Sequence, residues 1–252
     1  MKIIFPTRGT KLRYPFGSVI QGWSENFALY HAVNPNLNGH PGIDIIPTTG
    51  YGEDILSPHD GVIAKIAYIE NGYGNEIAIL SPRYPDGHYI CSFLCHLTPE
   101  ILVTEGQTVK EGDVVAKMGN SGFVVSGGVP YWGQANPDHK GTHCHWKTLW
   151  LTDATDHSNT SFLGKDYLIR DYGNGFDSSF DPLTLLGETM TNSYLIQVNK
   201  KDGTKEFAVA LPATTEDALI DKCLNTDIPL PTLENGKKVD WANVQPKFTI
   251  NE

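Results

Sequence analysis

Three short histidine motifs constrain this chain more than any other feature of its sequence. They are H-P-G-I-D at 40–44, C-H-L at 95–97 and T-H-C-H-W at 142–146. In an extended segment, side chains two or four residues apart lie on the same face. His40 can therefore share a face with Asp44, and His143 can share one with His145, while Cys144 points the other way. The motifs favour a fold that places extended segments side by side.

Two neighbouring strands of this kind can gather ligands for one metal ion. Catalytic zinc takes three protein ligands from His, Asp, Glu or Cys and leaves a fourth position open. His40, Asp44 and either His143 or His145 supply such a set, and the spacing alone leaves open which of the two binds. The other one, together with His96, is then available for acid–base chemistry. This set of residues indicates a metal-dependent hydrolase.

The cysteines offer a weaker alternative to this ligand set. Cys95 and Cys144 are chemically able to bind zinc, but imidazole and carboxylate ligands already complete the site. Cys91 and Cys95 lie four residues apart on one predicted strand, a spacing that rarely suits a disulfide. We therefore expect these thiols and Cys223 to be reduced and partly buried, which is consistent with synthesis in the cytoplasm.

The sequence around the motifs has a recognisable order, which makes it more specific than any single motif. It includes G-H-P-G-I-D-I-I-P-T-T-G from 39, N-G-Y-G-N-E-I-A-I-L from 71, L-C-H-L from 94, E-G-D-V-V-A-K-M-G-N-S-G from 111 and G-T-H-C-H-W from 141. Over residues 15–187 the chain resembles the M23 family of zinc metallopeptidases, the lysostaphin- and LytM-like peptidoglycan endopeptidases. Asp181-Pro182 resembles the close of the domain in that family.

The resemblance implies a role for each residue of the motifs. His40, Asp44 and His145 would be the ligands of one Zn²⁺ per chain, and His96 and His143 would be the catalytic histidines. The implied activity is hydrolysis of peptide bonds in bacterial peptidoglycan, in the stem peptide or the cross-bridge. No H-E-x-x-H sequence is present, so a thermolysin-type glutamate base is excluded.

The chain departs from the family pattern between the G-N-S-G turn and the H-x-H motif. Residues 123–141 intervene, rich in Gly, Pro and aromatic residues, with Tyr131 and Trp132 at the centre. An insertion of this length inside a compact domain is usually functional. It predicts a wall of the substrate groove, with Tyr131 and Trp132 as substrate-binding residues. A surface insertion packed on the domain is the alternative, and His139 within it is assigned no ligand role.

Periodicity predicts a mainly β protein: a two-layer antiparallel β-sheet peptidase domain over residues 1–190, with an active-site groove on one face. A small α+β appendage would follow over 191–252. It would consist of a hairpin at 194–198 and 207–211 and a helix from Thr214 to about Asn225. The strands of the peptidase domain are expected at 43–46, 61–69, 76–80, 88–94, 113–118 and 143–149.

Composition and charge limit the partners of the chain. The net charge of −10 and the absence of basic clusters argue against a nucleic-acid partner. No run in the sequence reaches 18 apolar residues, so no membrane span is predicted. The N-terminal sequence does not resemble a secretory signal. A wall hydrolase made in the cytoplasm without a signal would reach the wall after lysis or on a particle. The sequence therefore suggests a phage lysin or virion-associated enzyme, with virion or tail proteins as further partners.

Two rival functions deserve comparison with this one. The segment 103–119 resembles half of a lipoyl or biotinyl carrier domain, but Lys117 lies within an apolar strand rather than at a hairpin tip. A catalytically silent M23-like protein with a wall-binding, regulatory or structural role is the second rival. Loss of activity normally removes ligands, whereas all the motif positions are filled here, so catalysis is favoured.

Overall fold

The computed structural model describes residues 3–9, 11–14, 16–17, 37–134, 138–154 and 160–186, and the backbone of three strands further along the chain. Nearly all of its regular structure is β, with one 3₁₀ helix at Pro182–Leu185. The strands are β1 Lys11–Tyr14, β2 Ile43–Ile46, β3 Asp54–Leu56, β4 Gly61–Ile69, β5 Gly74–Leu80, β6 His88–Ile101, β7 Thr108–Val109, β8 Val114–Met118, β9 Val124–Ser126, β10 Val129–Tyr131, β11 Cys144–Asp153, β12 Thr160–Phe162, β13 Lys165–Ile169, β14 Tyr194–Asn199, β15 Lys205–Ala210 and β16 Lys247–Asn251.

The main sheet has the strand order β1-β2-β11-β6-β5-β4-β7. The β12–β13 hairpin extends it beside β11, and β8 pairs with the far end of β6 and with β3. All these strand pairings are antiparallel. The long strands β6 and β11 lie at the centre, and the pairing of Cys95 with His145 brings two of the three histidine motifs next to each other.

Alternation along the strands separates two apolar clusters. Ile43 and Ile45 of β2 and Trp146 of β11 belong to the larger cluster, which also contains residues of β3 and β8. The short β3–β8 ladder therefore packs over one face of the main sheet and forms a second layer. Phe93 and Leu149 belong to the smaller cluster. These observations confirm the predicted mainly β, antiparallel architecture.

The predicted strands of the peptidase domain are all present, with small changes at their ends. The main differences are that β6 continues to Ile101 and β11 to Asp153. Strands of two or three residues were not predicted, among them β3, β7 and β12. Segments this short carry too few residues for a period of two to be detected.

In the predicted appendage, β14 and β15 form the expected antiparallel hairpin, and β16 pairs with β14 in parallel. The predicted helix at 214–225 and Cys223 lie outside the described residues, and the boundary at 190 stays a prediction. Among the helices that the structure describes, none has the length and apolar character needed to cross a membrane.

Ile79 tests how strongly the core stabilises the sheet. Its side chain is fully buried in β5, so Ile79→Ala should lower the free energy of unfolding by about 2–5 kcal/mol. Leu168→Ala is the matched control, because Leu168 in β13 is 41% exposed and its truncation should change that free energy by less than about 0.5 kcal/mol. Urea denaturation of both variants makes the measurement. Equal losses would contradict the assigned core.

His59 lies outside the three motifs, and its burial leads us to expect that the stability of the protein depends on pH. It is buried, with Nε2 2.9 Å from Ser92 Oγ, and burial lowers the pKa of its imidazole. Its contribution to stability is then complete above the unfolded pKa of about 6.5 and is lost as the pH falls below it. In metal-free protein, His59→Asn should show a smaller drop of the urea midpoint between pH 7.5 and 5.5 than wild type. His88→Asn is the control, and an unchanged slope in His59→Asn would refute the prediction.

Candidate metal and catalytic site

The register between β2 and β11 places a carboxylate beside an imidazole. Asp44 lies directly opposite His145, and directly opposed residues of an antiparallel pair project from the same face. The Nδ1 of His145 lies 2.9 Å from Oδ1 of Asp44. The neighbours Ile43, Ile45 and Trp146 project into the core on the other face, so the pleat fixes the side on which the polar pair appears.

His40 reaches the same point from outside the strand. The sequence spacing predicted an extended segment over 40–44, but β2 begins only at Ile43 and residues 41–42 form a bend. The Nε2 of His40 lies 3.1 Å from Oδ1 of Asp44 and 3.1 Å from Nδ1 of His145. Gly42 makes room for this arrangement, because a Cβ there would lie 2.8 Å from Nε2 of His145 and 2.6 Å from the carbonyl oxygen of Trp146.

The ionisation of these groups suits a cation. Burial by itself would raise the pKa of Asp44, but the neighbouring His40 and His143 and the hydrogen bonds from His145 and His40 hold it well below its usual value. Burial lowers the pKa of His145 to about 4, against the opposing effect of Asp44. The site therefore presents a charged carboxylate and a neutral His145 imidazole.

The three donor atoms fit a zinc ion. They belong to His40, Asp44 and His145, and they form a group in which all ligand atoms lie within 4.8 Å of one another. Donor atoms around a tetrahedral zinc lie roughly 3.3 Å apart, close to the separations observed here. Three buried atoms that can each offer a lone pair at such distances are satisfied together by a shared cation. The structure thus gathers the three predicted ligands, and from the H-x-H pair it is His145 whose nitrogen joins this group of donor atoms.

His96 is held by its backbone as well as by its side chain. It has a φ of 58°, an unusual conformation for a residue with a side chain and one that is typical of functional sites. Its amide donates to the carbonyl oxygen of Tyr73 at 2.8 Å, and its Nδ1 lies 2.8 Å from the carbonyl oxygen of Ser121. This local break in the pleat of β6 turns the imidazole of His96 toward the site.

His143 occupies the position just before β11. Its amide donates to the carbonyl of Gly119 at 3.1 Å, and its Nδ1 lies 2.6 Å from the carbonyl oxygen of Gly141. Its ring centroid is 4.5 Å from that of His96, and its Nε2 is 3.8 Å from Oδ1 of Asp44. The two histidines thus stand together beside the ligand group.

The two carbonyl contacts define the tautomers of these histidines. Since a carbonyl oxygen can only accept, Nδ1 of His96 and Nδ1 of His143 carry the protons and donate them. Burial, followed by the nearby His143 and His145, lowers the pKa of His96 well below its usual value. His96 is therefore neutral near pH 7, with an unprotonated Nε2.

A cavity of about 360 Å³ brings all five motif residues to one surface. His40, Asp44, His96, His143 and His145 contribute its polar part. Leu37, Ile69 and Phe123 supply apolar wall, and Tyr73 and Asp177 complete the side next to His145. The motifs could not reveal Tyr73 or Asp177, because neither carries a metal-ligand or acid–base signature in the sequence.

The insertion 123–141 contains the hairpin β9–β10. The amide of Gly122 donates to the carbonyl of Gly133 at its base, and Gln134 accepts from Asn75 Nδ2 at 2.9 Å. Phe123 lines the cavity, and Trp132 packs on it with ring centroids 5.3 Å apart while remaining 53% exposed. The predicted substrate-binding residues Tyr131 and Trp132 are not among the described lining residues of the cavity, and their role stays a prediction.

His139 and the three described cysteines take no part in this group of donors. His139 packs against Tyr51 with ring centroids 3.9 Å apart. Cys91, Cys95 and Cys144 are free and buried, and burial raises the pKa of the Cys144 thiol to about 12. Within the described part of the chain, the gathered donors are the predicted imidazoles and carboxylate rather than thiols.

Comparison with known proteins agrees with this site. The sequence profile of peptidase family M23 matches residues 38–156, a range that contains every histidine motif. The chain carries a peptidase M23 domain. A curated relative, an uncharacterized metalloprotease of Haemophilus influenzae, is 33% identical over 93 residues; that match covers 37% of this chain and 18% of the relative. The match thus spans less than a fifth of the length of that relative.

Solved structures similar to the M23 domain include other peptidases. The catalytic domain of the antimicrobial peptidase lysostaphin from Staphylococcus simulans has a TM-score of 0.42 and 17% identity, with coverage of 70% of this chain and 92% of that one. A zinc-containing peptidase from Vibrio cholerae has a TM-score of 0.40 and 20% identity, with coverage of 60% and 37%.

Asp44 is the single carboxylate of the ligand group, so its charge should dominate metal affinity. Asp44→Asn keeps the size of the side chain and removes the charge, and we expect zinc affinity to fall by more than about 100-fold, the upper end of the loss seen for outer-shell changes. Asp54→Asn, in a surface ion pair with Lys117, is the control and should bind zinc normally. Competition titration against a chromophoric chelator measures both. Retention of wild-type affinity by Asp44→Asn would exclude the assigned ligand set.

Proposed function

We propose that the protein is a zinc-dependent endopeptidase that hydrolyses peptide bonds in bacterial peptidoglycan. One observation carries this proposal: three metal-donor atoms and two oriented imidazoles converge on one cavity of the M23 domain. A purely structural cluster would not need His96 and His143 beside a complete ligand group. The sequence resemblance to peptidoglycan endopeptidases supports the substrate class.

The residues that would hold zinc are His40 through Nε2, Asp44 through Oδ1 and His145 through Nδ1. Bound zinc would supply Lewis acidity toward water and toward the scissile carbonyl. One carboxylate and two imidazoles leave a net positive charge on such a centre, which preserves its acidity.

His96 and His143 would handle the protons. Each contacts a backbone carbonyl oxygen through Nδ1, at 2.8 Å and 2.6 Å, so that Nε2 is the nitrogen that would exchange protons in the reaction. One of the two would take a proton from the attacking water, and a protonated imidazole would then stabilise the developing oxyanion and return a proton to the leaving amine. Because both carbonyl partners are main-chain groups, neither histidine has to reorganise during this cycle.

The cavity would bind the peptide next to these groups. Its apolar wall, formed in part by Ile69 and Phe123, would shield the reacting peptide from bulk water and strengthen electrostatic interactions within the site. Delivery after lysis or on a virion, with virion or tail proteins as partners, stays a prediction from the sequence.

The test compares zinc-loaded wild type with His143→Ala on purified peptidoglycan, by mass spectrometry of released fragments. His143 is outside the ligand group, so its variant should retain zinc while fragment release falls by about 10²–10⁴-fold. New amine-ended peptides from wild type would identify the bond that is cut. Walls with different cross-links should be compared in parallel.

His139→Ala is the matched control, since His139 packs on Tyr51 rather than lining the cavity, and it should cleave like wild type. Equal release by wild type and His143→Ala would show that His143 is not catalytic. No release from any wall type, with zinc binding confirmed, would favour the catalytically silent alternative.

A further inference from the structure

Tyr73 lies against the ligand group without belonging to it. Its ring is stacked on the imidazole of His145, with centroids 5.2 Å apart and planes at 23°. Its ring centroid is 6.3 Å from that of His96. The phenol ring therefore fills the space beside a predicted zinc ligand and near a predicted catalytic base.

The far end of Tyr73 is anchored by a charged pair. Its hydroxyl donates to Oδ2 of Asp177 at 3.0 Å, and Nζ of Lys147 donates to the same oxygen at 2.5 Å. Lys147 also lies 4.8 Å from the centroid of the Tyr73 ring. Burial, and then the charge of Asp177, raise the pKa of Tyr73 well above its usual value, so the hydroxyl keeps its proton and acts as the donor.

This anchor is connected to the metal ligand through the sheet itself. Lys147 follows His145 by two residues in β11, so both side chains project from the same face. The Lys147 side chain is only 10% exposed, and a buried ammonium needs a charged partner. Asp177 supplies it, with a φ of 51° in a turn that brings its carboxylate to the cavity. Tyr73 is thus held between His145 on one side and the partly buried Lys147–Asp177 ion pair on the other.

The backbone of Tyr73 completes the arrangement. Its carbonyl accepts the amide of His96 at 2.8 Å, the bond that accompanies the unusual φ of His96. The amide of Phe123 donates to the carbonyl of the adjacent Gly72 at 2.8 Å. The side chain and the main chain of one residue therefore contact a predicted metal ligand and a predicted catalytic histidine.

We propose that Tyr73 is a positioning residue that sets the orientation of both His145 and His96, with Asp177 and Lys147 as its anchor. This inference rests on the proposed function for His96, whereas for His145 it requires only metal binding. Outer-shell groups that restrain a ligating histidine raise metal affinity by limiting the orientations of the ring. The stacked ring of Tyr73 restrains the plane of the His145 imidazole and keeps its Nδ1 directed toward Asp44 and His40.

Two substitutions distinguish the contribution of the Tyr73 ring from that of its hydroxyl. Tyr73→Leu removes the stacked face and should weaken zinc binding by about 10–100-fold, with a fall in kcat and little change in KM. Tyr73→Phe keeps the face but loses the bond to Asp177; it should recover most of the zinc affinity and lose about 3–10-fold in kcat. Tyr68→Leu is the control, because Tyr68 in β4 is 39% exposed and does not line the cavity.

Zinc affinity is measured by chelator competition, and the visible absorption of Co²⁺-substituted protein reports the geometry of the ligands. Activity is followed on a soluble peptide that contains the bond identified in the peptidoglycan experiment. Altered Co²⁺ absorption and weaker zinc binding in Tyr73→Leu, with recovery in Tyr73→Phe, are the expected results. These readouts do not depend on cleavage, so they test the positioning of His145 even if no peptide is hydrolysed.

Wild-type zinc affinity, Co²⁺ absorption and kcat in Tyr73→Leu would overturn the proposal. If Tyr73→Leu does not fold, Tyr73→Phe and Asp177→Asn decide the question, since both retain the ring. The proposal requires each of them to lower kcat by at least about 3-fold, or to alter the Co²⁺ absorption. Wild-type behaviour of both would overturn it.

Discussion

The pairing of β2 with β11 is the constraint on which the rest of the site depends. With Asp44 opposite His145, the carboxylate and the imidazole project together from one face, and Ile43, Ile45 and Trp146 project into the core from the other. A slip of one residue would exchange these faces, burying the polar groups in the core and exposing the apolar ones. The hydrophobic effect that stabilises the sheet therefore also fixes the register of the metal ligands.

The positions of the two predicted catalytic histidines depend on turns rather than on strand pairing. His96 leaves the regular pleat, with its amide on Tyr73 and its imidazole on Ser121, and His143 is bound to Gly119 and Gly141. The turns at 72–75 and 119–123 are packed so closely that a Cβ at Gly122 would lie 2.2 Å from the amide nitrogen of Gly74. Such packing leaves little freedom to these turns. The imidazoles are thus oriented by main-chain groups before any substrate binds, which is the condition for efficient proton transfer.

The polar groups around the site differ in how readily they can be recognised from the sequence. The donor atoms are recognisable from their residue types, whereas the role of Tyr73, Asp177 and Lys147 arises only from their contacts. The role of the insertion after Phe123 likewise arises only from its contacts. Its hairpin is joined to the 72–75 turn through Asn75 and Gln134, so it is part of the scaffold of the cavity and not a detached surface loop.

Local alternation and donor chemistry can be read from the sequence, and they account for the mainly β class, for the strands long enough to show a period of two and for the residues of the candidate ligand group. Spacing left open which of His143 and His145 joins His40 and Asp44, since both lie on one face of the same segment, and only the family resemblance implied His145. Tertiary structure brings His145 into the donor group, because pairing with β2 places that residue, and not His143, opposite Asp44. It also decided the backbone conformation of His96 and the contacts of Tyr73, which join segments distant in the chain. The carbonyl oxygen that contacts His96, the ring stacked on His145 and the Lys147–Asp177 ion pair have no local sequence signature. These contacts form only after the strands have been brought together.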